Sequence, residues 1–433
     1  MNKRILKLAI PNIISNISIP LLGMVDTALM GHLDSVVYVG AIALGTMVFN
    51  FIYWGLGFLR MGTVGFTAQA KGSDDQKEIT RVLYRAGLIA LVGGMIIIAL
   101  HPFIIDFGLR LTEAGDEVEY YAREYFNIRV WAAPASLLIL VLSGWFVGMH
   151  NTVYPMIISI ITNILNIAFS FWFVFGMDMK SDGVAWGTLI AQYLSAALGV
   201  GFIVWKYRRY LVKVLWSRLL DSKALRNFAN VNSDIFIRTL GIIFVFSFFT
   251  VQSANINDTA LAVNSILFQF FIFFSYMLDG FANAGEALSG EAVGMNSRAT
   301  MLKYTRYLFG WGLIFSIIFT LAYAFFGNQM LYLLTDNREI IEAARPMMFW
   351  VIMMPLISFG AFMWDGIFIG ATASRAMRNT MILATVAVFL PLYYWGPWDL
   401  INRLWIAFMA YMFTRGLFLG ISFPQSILKK LGK

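Results

Sequence analysis

Long apolar runs separated by short polar segments are the dominant pattern along this chain of 433 residues. The runs Ile89–Leu100, Leu137–Val147 and Leu313–Phe326 contain no charged residue. A helix of about 20 residues crosses the roughly 30 Å hydrocarbon core of a bilayer, so runs of this kind indicate membrane spans. Strict alternation of apolar and polar positions, which is typical of membrane β-strands, is not seen. The pattern therefore predicts an all-α protein that crosses the membrane repeatedly.

We predict twelve transmembrane helices. The connections between them are short, and the longest polar one, Lys206–Arg226, lies between the sixth and seventh spans. The predicted spans are residues 4–30, 36–69, 82–109, 119–147, 153–176, 183–206, 227–254, 257–289, 302–328, 338–369, 376–395 and 398–424.

Basic residues gather at alternate ends of these spans, which is the distribution described by the positive-inside rule. The segment Lys206–Arg226 and both termini are basic. In contrast, Glu113, Asp116 and Glu117 lie in a connection predicted on the other side of the membrane. We therefore predict that both termini are cytoplasmic and that the protein lies in the plasma (inner) membrane. On this interpretation the net charge of +8 arises from basic residues in the cytoplasmic loops. We therefore expect the lipid bilayer, and no nucleic acid, as a partner.

The two halves of the chain resemble each other at a separation of 222 residues. Gly144–Gly148 aligns with Gly366–Gly370, and Gln69–Gly72 aligns with Glu291–Gly294. Six spans in each half place both halves in the same orientation, as two six-helix bundles related by a parallel pseudo-two-fold repeat, with substrate expected between them. The predicted parts are an N-terminal lobe at 1–208, a cytoplasmic linker at 209–226 and a C-terminal lobe at 227–433.

A single carboxylate, Asp26, lies in the first predicted span, after Pro11 and Pro20. Charged groups within a membrane are costly, so each is a functional candidate. Burial favours the protonated form of a carboxylate, which would let Asp26 load and release a proton. Proline removes a helix hydrogen bond, so Pro11 and Pro20 are candidate hinges. The alternative is a hydrated Asp26 near the membrane interface.

Polar side chains in the fifth and sixth spans are candidate partners of Asp26. Asn163, Asn166 and Ser170 share one helical face, and Thr188 lies in the next span. They could form a cation-coupling cluster. Ordinary hydrogen bonding between membrane helices explains the same spacing equally well.

The second half carries more charge within its predicted spans. Asp234 and Arg238 are spaced to neutralise each other, and this structural role is favoured for them. The other intramembrane charges are mostly acidic, which favours a cationic substrate in the cleft. The candidates in this group, with Arg60 as a partner from the second span, are Asp279, Glu286, Asp365, Asp234, Arg238 and Arg60.

Signatures of an enzyme are not found in the sequence. It has no cysteine, its three histidines are scattered, and no phosphate-binding loop of the Walker type occurs. We therefore expect no catalytic activity, no resident cofactor and no firm metal site. H⁺ or Na⁺ would act only as a coupling ion.

Three segments carry a family resemblance: Pro11…Val25-Asp26-Thr…Gly31-His-Leu, Phe58-Leu-Arg-Met-Gly-Thr-Val-Gly-Phe-Thr-Ala-Gln-Ala70 and Asp365-Gly-Ile-Phe-Ile-Gly-Ala371. They resemble the DinF-like branch of the multidrug and toxic compound extrusion (MATE) family. The resemblance covers essentially the whole chain. It implies export of amphipathic, often cationic compounds driven by inward movement of H⁺ or Na⁺.

The resemblance also implies where coupling occurs. Similar proteins use an Asp in the first helix, an Asn and an Asp four residues apart in the fifth, and a Thr in the sixth. Asp26, Asn166 and Thr188 match three of these positions, and they are the residues that would hold Na⁺. The second acid is replaced by Ser170. One carboxylate holds a metal cation less well than two, so H⁺ is preferred, unless coupling has moved to second-lobe carboxylates such as Asp365.

The sequence therefore predicts a monomeric secondary antiporter that works by alternating access and exports amphipathic small molecules. Two alternatives remain open. A flippase for lipid-linked precursors has a similar architecture, although its cavity is expected to be strongly cationic. A membrane-embedded enzyme is disfavoured, because no convincing set of nucleophile and base is found.

Overall fold

The computed structural model describes residues 1–30, 35–110, 114–214, 219 and 221–432, with the backbone alone at 19–30 and 36. This part of the chain is helical and contains no β-strand. Eleven of its helical segments are long and apolar enough to cross a membrane. Helix α1 (Asn2–Met30) adds a further helix of 29 residues. The prediction of an all-α protein with multiple membrane spans is confirmed.

The helices that follow α1 in the first half are interrupted by short turns. A 3₁₀ turn, Val130–Ala132, joins two helices of one span, and a π-helical turn, Trp172–Gly176, extends another. The helices are α2 (Val36–Gly55), α3 (Phe58–Gly72), α4 (Gln76–Arg110), α5 (Asp116–Arg129), α6 (Ala133–Gly148), α7 (Val153–Phe171) and α8 (Ser181–Lys206).

The second half repeats these interruptions. A 3₁₀ turn at Arg345–Met347 again joins two helices of one span. A π-helical turn at Ala384–Phe389 lies in the eleventh predicted span, the counterpart of the fifth, which contains Trp172–Gly176. The helices are α9 (Ser222–Ile256), α10 (Asp258–Gly294), α11 (Arg298–Leu334), α12 (Arg338–Ala344), α13 (Met348–Gly370), α14 (Ser374–Leu383), α15 (Leu390–Trp395) and α16 (Leu400–Ser426).

The chain divides into two compact units, which we call the first and second lobes. The first lobe comprises residues 14–226, and the second comprises 1–13 with 227–433. The second lobe thus resumes at Asn227, where the sequence places its start, but it also includes the beginning of α1. Buried aromatic side chains fill each lobe, with Trp145 and Phe146 in the first and Trp405 and Phe408 in the second.

The 222-residue offset seen in the sequence recurs in the backbone. Asp74 and Asn296 have φ angles of 56° and 50°, and His150 and Thr372 have φ angles of 59° and 50°. Each residue ends a helix in the left-handed conformation, which Asn and Asp tolerate best among residues with a side chain. The members of each pair also make the same turn hydrogen bonds, such as Asp74 N to Lys71 O and Asn296 N to Val293 O. The repeat is therefore structural.

The aligned glycines explain why this repeat is visible in the sequence. A Cβ on Gly144 would lie 2.5 Å from the carbonyl oxygen of Arg60, and one on Gly366 would meet the carbonyl oxygen of Ala282. Arg60 and Ala282 are themselves 222 residues apart. Small residues allow membrane helices to approach closely. The same backbone contact thus occurs between α3 and α6 in the first lobe and between α10 and α13 in the second.

Candidate functional site

A buried polar pair lies between α7 and α8 in the first lobe. The Asn166 Nδ2 group donates to Thr188 Oγ1 at 2.8 Å, and Thr188 Oγ1 donates to the carbonyl of Val184 at 3.0 Å. Both side chains are buried. The structure therefore brings together two of the predicted cluster residues. An amide and a hydroxyl in this arrangement offer oxygen atoms for binding a proton donor or a cation.

Two buried oxygens next to this pair lack a hydrogen-bond partner among the described residues. They are Asn166 Oδ1 and Ser170 Oγ, one helical turn apart on α7. They are two of eleven such side-chain atoms among the described residues. Buried polar atoms without a partner call for an explanation, such as a bound water, an ion or a functional group. A Cβ on Gly187 would lie only 2.5 Å from Ser170 Oγ and 2.7 Å from Ser170 N, so α7 and α8 touch at this position.

Asn163 faces α1 instead of joining the pair. Its Nδ2 group donates to the Ser18 carbonyl and lies at hydrogen-bond distance from Ser18 Oγ, at 3.2 Å in each case. Ser18 Oγ also lies 3.4 Å from Ser159 Oγ. These contacts join α1 to the face of α7 that carries Asn166 and Ser170.

The side chains of Pro20 and Asp26 lie outside the described residues, although their helix, α1, is described through Met30. Their predicted roles as hinge and coupling carboxylate stay predictions. Pro11 is buried within α1 and belongs to the second lobe. The boundary between the lobes falls two residues later in the same helix.

A cavity of about 220 Å³ in the first lobe reaches Thr188. A guanidinium from the end of α5, Arg129, lies on its wall. Arg129 Nη1 donates to Tyr125 Oη at 2.5 Å and to Thr46 Oγ1 at 3.1 Å. The described residues that line this cavity are Tyr53, Arg129, Ala132, Ser136, Ile139, Leu140, Thr188 and Gln192.

The second lobe contains a buried cluster of three charges. Asp365 of α13 accepts hydrogen bonds through Oδ2 from Arg238 of α9 and from Arg415 of α16, the latter at 2.6 Å. All three side chains are at most 10% exposed. Buried charges are tolerated when they are paired and hydrogen-bonded. The cluster has one negative and two positive charges, so the two arginines outweigh the negative charge of Asp365.

The predicted pairing of Asp234 with Arg238 is wrong. Asp234 pairs with Arg378 at 2.5 Å and accepts a hydrogen bond from Ser374 at 2.8 Å, while Arg238 pairs with Asp365. The spacing of four residues on one helix allowed the predicted contact, but both side chains find partners on other helices. Two further basic residues, Arg129 and Arg415, also lie within predicted spans.

The remaining predicted charges are on two helices, α10 and α3. Glu286 is buried and Asp279 is half-buried, both in α10, and Arg60 is half-buried in α3. Among the described residues, no group of three or more His, Asp or Glu side chains is arranged to hold a metal ion.

Sequence reasoning missed Arg129 and Arg415. Each is a charge inside a predicted apolar span, and the rule that selected Asp365 selects them equally. A third missed group lies at the start of α1, where Arg4 pairs with Glu291 at 2.7 Å and Tyr304 Oη donates to Glu291 at 2.9 Å. Glu291 occupies one of the repeat positions found in the sequence, although the repeat alone does not reveal its charge partner.

The comparisons with known proteins agree with this architecture. The MatE family model matches residues 11–172 and 235–395, which are one segment in each half of the chain. DNA damage-inducible protein F of Escherichia coli is 36% identical over 421 residues, with 96% of this chain and 90% of that protein covered. The probable multidrug resistance protein NorM of Thermotoga maritima is 24% identical, with 88% and 80% covered.

A solved structure shows the same fold. The MATE transporter VcmN of Vibrio cholerae, in its bent form, superposes with a TM-score of 0.89 and 18% identity, with 99% of this chain and 97% of that chain covered. The family model covers more than half of the chain, and the bacterial relative is similar over nearly its whole length. This multi-pass membrane protein therefore belongs to the MatE family, the multidrug and toxic compound extrusion transporters.

Proposed function

We propose that the protein is a proton-coupled antiporter that exports amphipathic small molecules by alternating access, with its coupling site in the first lobe. The observation that carries this proposal concerns two buried oxygens, Asn166 Oδ1 and Ser170 Oγ, which lie beside the Asn166–Thr188 hydrogen bond and have no hydrogen-bond partner among the described residues. We place the protein in the plasma (inner) membrane as a monomer with both termini cytoplasmic. Its proposed partners are amphipathic substrates and the surrounding lipid.

The helix register supports Asp26 as the coupling carboxylate. Ser18 of α1 contacts Asn163 of α7, and residue 26 lies eight residues further along α1, a rise of about 12 Å. From Asn163 the same rise leads along α7 to Ser170 and the residue after it. Because α1 and α7 are the first and fifth predicted spans, they run in the same direction. Residue 26 thus falls at the level of the unsatisfied oxygens.

Proton coupling is favoured over sodium coupling by the chemistry of this site. Cations such as Na⁺ need several oxygen ligands and benefit from carboxylate charge. The second acid of similar proteins is Ser170 here, and α8 packs directly on it through Gly187. A single carboxylate can still exchange a proton, since burial favours its neutral form.

The second lobe is a weaker candidate for coupling. Asp365 is held by two arginines and Asp234 by Arg378 and Ser374, so neither carboxylate has its full charge available for an ion. Releasing Asp365 would leave two buried guanidinium groups without their counter-ion, and breaking a buried pair costs about 3–5 kcal/mol. These ion pairs also weaken the expectation, based on acidic residues, of a purely cationic substrate.

Helix α1 is the proposed moving element. Its first thirteen residues belong to the second lobe and its remainder to the first, and Pro11 lies beside that boundary. Proline removes a backbone hydrogen bond and lowers the cost of bending at such a point. Protonation would neutralise Asp26 and let α1 bend, and the first-lobe cavity would then close behind the substrate.

Purified protein in liposomes tests the proposal, with export of a fluorescent cation measured under a pH gradient or a Na⁺ gradient imposed separately. We expect the pH gradient alone to drive transport, and Asp26→Asn to abolish it. The matched control is Asp106→Asn, which neutralises an exposed carboxylate paired with Arg123 at 2.5 Å. Undiminished pH-driven export by Asp26→Asn would remove Asp26 from the mechanism, and export driven by Na⁺ alone would overturn proton coupling.

A further inference from the structure

We propose that the first-lobe cavity binds the carboxylate of an amphipathic substrate, with Arg129 as the group that recognises it. This inference rests on the proposed export function and names its substrate class. It differs from the usual expectation for such exporters, in which the substrate is a cation. The substrate class proposed here carries a negatively charged group, alone or together with a positive one.

The surroundings of Arg129 hold its side chain in one orientation. The guanidinium lies 4.7 Å from the ring centre of Phe49 and 5.5 Å from that of Tyr125. Both N–H groups of Nη1 are used, one toward Tyr125 Oη and one toward Thr46 Oγ1. A guanidinium has five N–H donors, so three remain, on Nε and Nη2. The Nε–H group and one N–H of Nη2 form an edge that a planar carboxylate can approach with two parallel hydrogen bonds.

No carboxylate of the described residues lies within ion-pair distance of Arg129, whereas other arginines of the first lobe are paired. Arg123, in the same helix, pairs with Asp106, and Arg81 and Arg85 both pair with Glu78. A half-buried cation on a cavity wall is costly without an anion, because the low-dielectric surroundings hydrate it poorly. The same surroundings strengthen its attraction to an anion that enters.

The cavity fits a small anionic group with an apolar body. Ser136 and Gln192 add hydrogen-bonding side chains near Arg129, and Ile139 and Leu140 add apolar surface. One guanidinium balances a single negative charge, as a carboxylate has at neutral pH. A pyrophosphate would need several cations, so the lipid-linked precursors considered above fit this cavity poorly. The volume of about 220 Å³ accommodates the anionic end of an amphiphile.

Thr188 connects this cavity to the coupling cluster. It lies on the cavity wall and also accepts the Asn166 hydrogen bond at 2.8 Å. A carboxylate bound to Arg129 would therefore share a cavity with Thr188, which is bonded to the proposed coupling residue Asn166. Substrate binding and proton binding would then influence each other through Thr188.

Two dyes that differ only at the carboxylate provide the test. Rhodamine 110 has a free carboxylate, and rhodamine 123 is its methyl ester, with the same ring system. Binding to purified protein in detergent is measured by fluorescence anisotropy. We expect wild-type protein to bind rhodamine 110 at least tenfold more tightly than rhodamine 123. Arg129→Gln should abolish this preference, and Arg129→Lys should retain part of it. Arg123→Gln, which removes an exposed guanidinium from the same helix, should leave the preference unchanged.

Equal binding of the two dyes by wild-type protein would overturn the inference, and so would an unchanged preference in a folded Arg129→Gln variant. Should that variant fail to fold, Gln192→Leu provides a second test on the same wall, where we expect a smaller loss of the preference. No change in folded Gln192→Leu would then count against the site. Export of rhodamine 123 under a pH gradient is measured separately, so a failure of the export function is distinguishable from a failure of carboxylate recognition.

Discussion

The two lobes have the same close helix contacts but different distributions of charged residues. Gly144 packs on Arg60 in the first lobe as Gly366 packs on Ala282 in the second, with 222 residues between corresponding positions. At the same offset, however, Asp365 corresponds to Ser143, and Glu286 corresponds to Val64. The repeat has therefore kept the glycines needed for close helix packing, while these two buried acids of the second lobe have no charged counterpart in the first.

Whether a charged or polar group has a partner distinguishes candidate structural groups from candidate functional groups in the two lobes. In the second lobe, Asp365 and Asp234 are each compensated by arginine. In the first lobe, Asn166 Oδ1 and Ser170 Oγ have no partner among the described residues, and Arg129 has no carboxylate within ion-pair distance there. On the proposed mechanism, the compensated charges stabilise the second lobe, and these groups of the first lobe take part in transport.

The strongest test of this comparison is Asp365→Asn. It leaves Arg238 and Arg415 buried without their carboxylate, so we expect a loss of about 3–5 kcal/mol in the free energy of unfolding. Chemical denaturation in detergent measures this loss. Replacing Arg238, Asp365 and Arg415 together by Met, Leu and Met should restore most of the stability. Full stability of Asp365→Asn combined with lost export would move the function to the second lobe.

The next largest effect is expected from the repeated glycine contact. Gly366→Ala would place a Cβ against the Ala282 carbonyl, and Gly144→Ala would place one against that of Arg60, so each should cost about 1–3 kcal/mol. Gly360 and Gly201 have no atom within 4 Å of an added Cβ. Alanine at those two positions should be neutral or stabilising, because alanine stabilises a helix by about 1 kcal/mol relative to glycine. Equal melting temperatures for all four variants would contradict the shared packing.

Thr188→Val tests the first-lobe cluster with a smaller expected effect. Valine keeps the shape of threonine but leaves the Asn166 amide without its acceptor. We expect pH-driven export to fall roughly tenfold, equivalent to about 1.4 kcal/mol. Thr162→Val is the matched control, since its hydroxyl donates within α7 to Ile158 O at 2.7 Å. Equal export by the two variants would show that the cluster has no coupling role.

The smallest effect concerns the sixth span of each lobe. Helix α16 begins after Asp399, whose side chain accepts the N–H of Asn402 at 3.2 Å, whereas α8 begins after Lys180, which makes no side-chain cap. Hydrogen bonds from the side chain and backbone of Asn402 lower the pKa of Asp399. Because its pKa is lowered on folding, Asp399 stabilises the fold above its unfolded pKa, and this contribution is lost as the pH falls through the folded value.

At neutral pH we therefore expect Asp399→Ala to cost about 1 kcal/mol, the usual effect of removing a helix cap. Asp399→Asn should keep the cap and remove its dependence on pH. Thermal melts of the three proteins between neutral and acidic pH provide the measurement. A pH profile of Asp399→Asn that matches wild type would show that Asp399 is not the titrating group.

The sequence predicted part of the candidate site for identifiable reasons. Asn166 and Thr188 were found because their helices are neighbours along the chain, so a contact between polar faces is nearly local. The ion pairs of the second lobe were not found. Arg238 and Asp365 are 127 residues apart, and Arg415 and Asp365 are 50 apart, so several partners were available to each charge. Asp234 was assigned to the nearest of them, Arg238, and that assignment was wrong.

By itself, the sequence determined the helical membrane fold, the approximate spans and the parallel repeat. These follow from long apolar runs and close-packing glycines, which act through local hydrophobicity and size. Only the tertiary structure decided which charges are compensated and which side chains share a cavity. Those properties depend on distances between helices that are remote in the chain. Arg129 and Arg415 are both arginines in apolar spans, and only their surroundings distinguish the one paired with Asp365 from the one on the cavity wall.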